Sequence, residues 1–230
     1  MSINYGIIFR HILVILPISA MLTFILTLVI CNSKLGKNFG RRLPNISELG
    51  LGAAHPFFAA GFTVLAPQFI AILIGRHLFL MHCNIISNDG SKRRVKIYLI
   101  IQLVVGVLTT PFMLLMGWAY GVAGRIPHLV GASGLFGLII TYAWLHSLLS
   151  WYLYLKARRT FASFEQDKSD IPYLISPIFY TICSILSLVN VAIWSKTGNS
   201  IAQYIAAGTP FLYLLPWMYG FCSTRYGYRA

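Results

Sequence analysis

Four polar side chains in this chain have the types needed for chemistry at a membrane surface: Ser47, Glu48, His55 and His128. Together they would form an interfacial site in which an imidazole acts as a base or binds a lipid phosphate. In the alternative interpretation, each histidine satisfies a helix end or forms a hydrogen bond between helices. The sequence assigns no catalytic residue.

Acidic residues are scarce, and none lies inside an apolar stretch. The five acids are Glu48, Asp89, Glu165, Asp167 and Asp170. This distribution disfavours a transporter that moves protons on a membrane carboxylate, and it disfavours hydrolysis by paired carboxylates. No two histidines stand four residues apart, so no metal site is expected, and no cofactor is expected either.

The elements that would position these side chains are membrane-spanning helices. The chain is 57% hydrophobic and 10% charged, with a mean hydropathy of +0.73, which excludes a soluble protein with a normally charged surface. Six apolar runs reach the roughly 20 residues that a spanning helix needs. They cover about 6–31, 56–80, 97–120, 129–155, 173–194 and 201–222. We therefore predict an all-α, six-helix polytopic bundle that forms one domain over residues 1–230.

The basic residues predict how the bundle is oriented. Twelve of the 18 lysines and arginines fall at one end of the runs and six at the other. Since cytoplasmic connections carry the excess, both termini are predicted to be cytosolic. Residues 43–50, a polar segment that we call the island, are then lumenal, and Asn45 begins a glycosylation sequon there. The basic residues lie in short connections, so nucleic-acid binding is not expected.

The island also carries a family resemblance. Residues 43–47 read Leu-Pro-Asn-Ile-Ser, similar to the Leu-Pro-x-Ile-Ser motif that follows the first span in the Frag, DRAM and Sfk family of six-span membrane proteins. Residues 66–71, Ala-Pro-Gln-Phe-Ile-Ala, followed by His77, resemble the branch of post-GPI attachment to proteins factor 2. Residues 127–132, Pro-His-Leu-Val-Gly-Ala, equally resemble the DRAM branch.

Two positions depart from the family pattern. Gln68 stands where the pattern has an arginine, which removes a fixed charge. Residues 207–211, Ala-Gly-Thr-Pro-Phe, lack the glutamate that both branches tend to carry early in the last span. These departures suggest a divergent member with an altered ligand preference.

The resemblance implies a role in GPI-anchor lipid remodelling in the Golgi membrane, where the anchor receives a saturated acyl chain. Its partners would be a membrane lipid or a GPI-anchored protein, together with a remodelling enzyme. The acyltransferase pattern His-x4-Asp is missing after His77 and His82, so an accessory or lipid-presenting role is favoured over catalysis. The resemblance leaves two alternatives: a DRAM-like lysosomal regulator of autophagy, and an Sfk-like organiser of plasma-membrane phosphoinositide signalling.

Overall fold

The computed structural model describes residues 5–35, 43–81, 92–122, 125–161 and 171–222. These ranges are helical and contain no strand. The helices are α1 (Tyr5–Leu35), α2 (Ile46–Leu49), α3 (His55–Met81), α4 (Lys92–Val107), α5 (Thr109–Val122), α6 (Arg125–Phe161), α7 (Ile171–Thr197) and α8 (Ser200–Cys222), with one 3-10 turn (Gly52–Ala54) before α3. The predicted all-α polytopic class is confirmed.

Five helical stretches in the described ranges are long and apolar enough to cross a membrane. They are Val14–Leu35, Gly52–Met81, Arg93–Ala119, Arg125–Lys156 and Ser176–Thr197, and they match the first five predicted spans. The sixth predicted span falls on α8, where Gln203, Pro210 and Pro216 lower the hydropathy. The protein is thus a multi-pass membrane protein, and the crossing of α8 stays a prediction.

The third span consists of two helices because proline interrupts it. Pro111, in the first turn of α5, has no N–H to donate to the preceding turn, and the helix breaks at Leu108. The hydroxyl of Thr109 donates to the Gly106 carbonyl oxygen at 2.6 Å. A local side-chain bond therefore satisfies a carbonyl next to the break.

The long helices pack in a closed ring. The first helix, α1, contacts both α3 and α8. On one side α3 continues to α4 and α5, and these two contact α6; on the other side α8 contacts α7, which contacts α6. The first and last helices therefore close the ring, and each neighbour in sequence is also a neighbour in space.

Small residues allow the tightest contacts in this ring. A Cβ added at Gly131 on α6 would lie 2.5 Å from the Met116 backbone nitrogen on α5. A Cβ at Gly61 on α3 would overlap the Thr27 side chain on α1. Close backbone approach through glycine is typical of helix packing in membranes, where lipid gives helices little hydrophobic reason to associate.

The outer faces of the ring are apolar. Exposed side chains include Leu26 and Val29 on α1, Val64 on α3, Ile100 on α4 and Ile182 on α7. Their exposed fractions lie between 52% and 59%. A soluble protein rarely exposes apolar surface on this scale, so lipid is the medium that suits these faces.

Candidate functional site

The island forms a one-turn helix whose start is held by its own glutamate. Glu48 Oε2 accepts a hydrogen bond from the Asn45 backbone N–H at 2.7 Å, and the Glu48 N–H donates to the Asn45 carbonyl oxygen at 2.9 Å. A reciprocal arrangement of this kind stabilises a helix N-terminus. One oxygen of the sole acid in the described ranges is therefore committed to local structure.

The island is fastened to the start of α8 by two polar contacts. The Ile46 N–H donates to Gln203 Oε1 at 2.8 Å, and the Ser200 hydroxyl donates to Asn45 Oδ1 at 2.8 Å. The first bond satisfies a backbone donor that a helix start leaves without an intrahelical partner. Asn45, the predicted glycosylation position, is part-buried here.

A tight turn places α8 for this contact. Gly198 has a φ of +67°, a conformation that glycine adopts without strain, and its N–H donates to the Trp194 carbonyl oxygen at 2.8 Å. The side chain of Asn199 then accepts the Ile201 N–H at 2.9 Å and caps α8. The Gly-Asn pair therefore ends α7 and begins α8 within two residues.

Behind α2 lies a pocket inside the ring, which we call the island pocket. Its cavity volume is about 50 Å³, within about 630 Å³ of space between atoms that also counts the open mouth. Its polar lining residues are Ser47, His128 and Gln203. Six phenylalanines supply much of the remaining wall: Phe24, Phe58, Phe62, Phe69, Phe136 and Phe211. The pocket is thus an apolar chamber. Two of its polar side chains, Ser47 and Gln203, come from the island and from α8, the helix to which the island is bonded.

His128 both lines this pocket and joins two helices. It lies in the first turn of α6, is 4% exposed, and its Nδ1 is 2.9 Å from the Met116 carbonyl oxygen on α5. Since a carbonyl only accepts, Nδ1 carries the proton and donates. The interhelical hydrogen bond of the alternative interpretation is present, and the same ring also forms part of the pocket wall.

The structure brings together two of the four predicted site residues. Ser47 and His128 line the island pocket, whereas Glu48 and His55 lie outside its lining in the described ranges. His55 is the first residue of α3 and is part-buried. Gln203 joins the site although the sequence did not single it out; the signal was an amide within an otherwise apolar predicted span.

A second polar cluster lies near the other end of the bundle and was missed by sequence reasoning. Arg76 Nε donates to His146 Nε2 at 3.2 Å, so the other imidazole nitrogen carries the proton. That nitrogen, Nδ1, donates to the Tyr213 hydroxyl at 2.8 Å, and the hydroxyl donates to the Ala143 carbonyl oxygen at 3.0 Å. A hydrogen-bonded chain therefore connects α3, α6 and α8.

Aromatic rings and hydroxyls surround this chain. The Tyr180 ring lies edge-on to the His146 ring with centroids 4.7 Å apart, and the Trp217 ring lies at 5.1 Å. Ser147 and Ser184 hydroxyl oxygens are 3.1 Å apart beside it. His146 and Trp217 are both 0% exposed, so the cluster belongs to the interior.

Neither cluster has the composition of a metal site. The described ranges contain no group of three or more histidine, cysteine, aspartate or glutamate side chains placed to hold a metal ion. Comparisons with protein-family profiles, characterised proteins and solved structures find no match to this chain. Membership of the Frag, DRAM and Sfk family therefore stays a prediction from short motifs.

Proposed function

We propose that this protein holds an acyl chain of a membrane lipid in the island pocket and presents that lipid during GPI-anchor remodelling in the Golgi. The observation that carries the proposal is a chamber walled by six phenylalanines, with Ser47, His128 and Gln203 as its polar lining. An amphipathic ligand matches such a chamber. Its hydrocarbon would contact the rings, and its ester or headgroup would meet the polar side chains.

In this proposal, the walls of the island pocket determine which acyl chain binds. A lipid tail that leaves the bilayer gains little from the hydrophobic effect, because the bilayer is as apolar as the pocket. Rigid aromatic walls instead favour a chain that fills the space between them. In this proposal the chain held is the saturated one that GPI anchors acquire.

A second pocket adjoins the island pocket inside the ring. It shares Phe69, Ile139 and Pro210 with the island pocket and reaches Tyr142 and Tyr213. An acyl chain that entered beside the island would extend along the side chains of the second pocket towards the centre of the ring. In this proposal the island is lumenal, and both termini are cytosolic.

Lipid binding is tested by photocrosslinking in nanodiscs with a saturated phospholipid that carries a diazirine on its tail. Ala207→Phe places a ring in the island pocket and should remove most of the crosslinking. Ala60→Phe adds the same ring to an exposed position on α3 and is the matched control. Equal crosslinking of the two variants would refute the proposed binding.

The remodelling role has a separate test in cells that lack the gene. Loss of the protein should lower the surface retention of GPI-anchored proteins and the saturated acyl content of their anchors, and the wild-type chain should restore both. Ser47→Ala combined with Glu48→Gln should express normally and fail to restore them. Unchanged anchors in the deleted cells would refute the role while leaving lipid binding intact.

The segment 127–132 supports a second candidate, a DRAM-like regulator of lysosomal membranes. Its His128 and Gly131 form the close contact between α6 and α5, so the residues that resemble that branch are structural contacts here. Localisation separates the candidates. A tagged chain in the Golgi supports GPI-anchor remodelling, one in lysosomes supports the DRAM-like role, and one at the cell surface supports an Sfk-like role.

A further inference from the structure

A small recess opens beside Arg76, near the end of the bundle remote from the island. Its polar lining residues include Arg76 and His77 on α3, Gln102 on α4 and Tyr142 on α6. It meets the second pocket at Leu73 and Tyr142. The proposed lipid site does not use Arg76, His77 or Gln102.

The charge of Arg76 has no counter-charge in the part of the chain that the structure describes. The sole acid there is Glu48, which precedes α3, whereas Arg76 lies close to the end of that helix. The 21 residues from His55 to Arg76 rise about 30 Å along the axis. A cation within a spanning helix is costly without a partner, and such residues usually mark a functional site.

The guanidinium is held in a fixed position with most of its donors available. Its Nε donates to His146, and its Cζ lies 5.2 Å from the Trp217 ring centroid and 5.4 Å from that of Phe79. The two Nη groups make no hydrogen bond within the described ranges. An arginine fixed in this way presents the forked donors that suit an oxyanion.

Two further side chains in the recess have buried polar atoms without hydrogen-bond partners. Gln102 is 3% exposed and lines the recess together with Tyr142, while its Oε1 has no partner; His77 Nδ1 also has none. Buried polar groups are seldom left in this state. Since amide oxygen and nitrogen are assigned from their surroundings, Gln102 can offer either atom to a ligand.

We propose that this recess binds a phosphate group. Its oxygens would accept hydrogen bonds from the Arg76 Nη groups and from His77. Gln102 can form a hydrogen bond with the phosphate in either amide orientation. A phosphate oxygen accepts from its N–H group, and a protonated phosphate oxygen donates to its carbonyl oxygen. A carboxylate at neutral pH lacks that donor, whereas a phosphate monoester, with a second pKa near 6, retains it in part. The phosphate belongs to a lipid headgroup or to a soluble phosphate.

Isothermal titration of the full-length protein in neutral maltoside micelles tests this site with three probes. Dioctanoyl phosphatidic acid carries a phosphate on a lipid, inorganic phosphate carries it in solution, and dioctanoylglycerol has the same tails without it. Arg76→Gln should weaken phosphatidic acid binding about tenfold or more, because it removes charge-assisted hydrogen bonds. Arg94→Gln removes an exposed charge near the same end and should change binding less than about twofold.

Each outcome decides the proposal. Competition by inorganic phosphate would assign the site to a soluble phosphate, and binding of phosphatidic acid alone would assign it to a lipid headgroup. Equal binding of dioctanoylglycerol, equal losses in the Arg76 and Arg94 variants, or no binding of either phosphate probe would overturn it. If Arg76→Gln does not fold, His77→Ala is the second variant, because the His77 Nδ1 has no hydrogen-bond partner in the described ranges whose loss would disturb the fold. An unchanged affinity of this variant for phosphatidic acid would also overturn the proposal.

Discussion

Replacing Gln203 with methionine should release the island from α8. The substitution keeps the length and volume of the side chain but removes the oxygen that accepts the Ile46 N–H at 2.8 Å. Gln203 is 4% exposed and Ile46 is 5% exposed, so water does not readily replace the bond. A buried N–H left without a partner costs about 1–3 kcal/mol. The population of the undocked island should therefore rise about 5- to 150-fold.

Hydrogen exchange read by mass spectrometry measures this release. A single helical turn has no stability of its own, so an undocked island loses its internal bonds as well. The amides of Glu48 and Leu49, which donate to the Asn45 carbonyl oxygen, should exchange faster along with that of Ile46. Amides in the middle of α3 should keep their rates, since the opening is local.

Ser200→Ala is the matched control, because it removes the other contact between the island and α8. That contact is a neutral bond to the part-buried side chain of Asn45, and its loss should accelerate exchange less than about fivefold. If Gln203→Met accelerated only the Ile46 amide, the island would not depend on Gln203 for docking. If no island amide changed, the bond would contribute nothing to the fold, and the reasoning would fail.

Three further substitutions test the packing of the ring, each read as the free energy of unfolding in detergent. Tyr213→Phe leaves the buried Nδ1–H of His146 without an acceptor and should cost about 1–2 kcal/mol; no loss would show that the chain of bonds is not formed. Gly131→Ala forces α6 away from the α5 backbone and should cost about 1–3 kcal/mol. Its control, Gly137→Ala on the same helix, meets empty space and should be neutral or slightly stabilising. Equal effects of the two substitutions would contradict the close contact. Thr181→Val removes one bond from an α6 indole and should cost about 0.6 kcal/mol; a loss above about 2 kcal/mol would contradict that magnitude.

The positions of the helices follow from sequence because a single physical requirement dictates them. Each predicted run of about 20 apolar residues lies within the helices observed, since a bilayer tolerates little else. The sequence predicted one interfacial site formed by Ser47, Glu48, His55 and His128, and of these Ser47 and His128 line the island pocket. The one-turn helix in the island was not predicted, although Asn45 and Glu48 stand at the spacing of a helix start. The docking of this helix could not be predicted, because it depends on Gln203, which is 157 residues away from Ile46.

The Arg76 cluster could not be found from local sequence. An arginine near the end of an apolar run has the same pattern as the basic residues that orient a membrane protein, so the local sequence of Arg76 predicts only a contribution to the orientation. What distinguishes it is contact with His146, 70 residues later, and through that ring with Tyr213, a further 67 residues on. A cation and its partners on three separate helices leave no periodic signal in any one of them.

Closure of the ring by its last helix has a consequence for biosynthesis. While the chain is being inserted, α3 brings Arg76 into the bilayer long before α8 delivers Tyr213 and Trp217. Before α8 arrives, Arg76 has His146 and Phe79 as partners but lacks the Trp217 ring, so the cation is only partly enclosed. A chain that stops before α8 would keep this incomplete enclosure, which is costly for a charge inside a membrane.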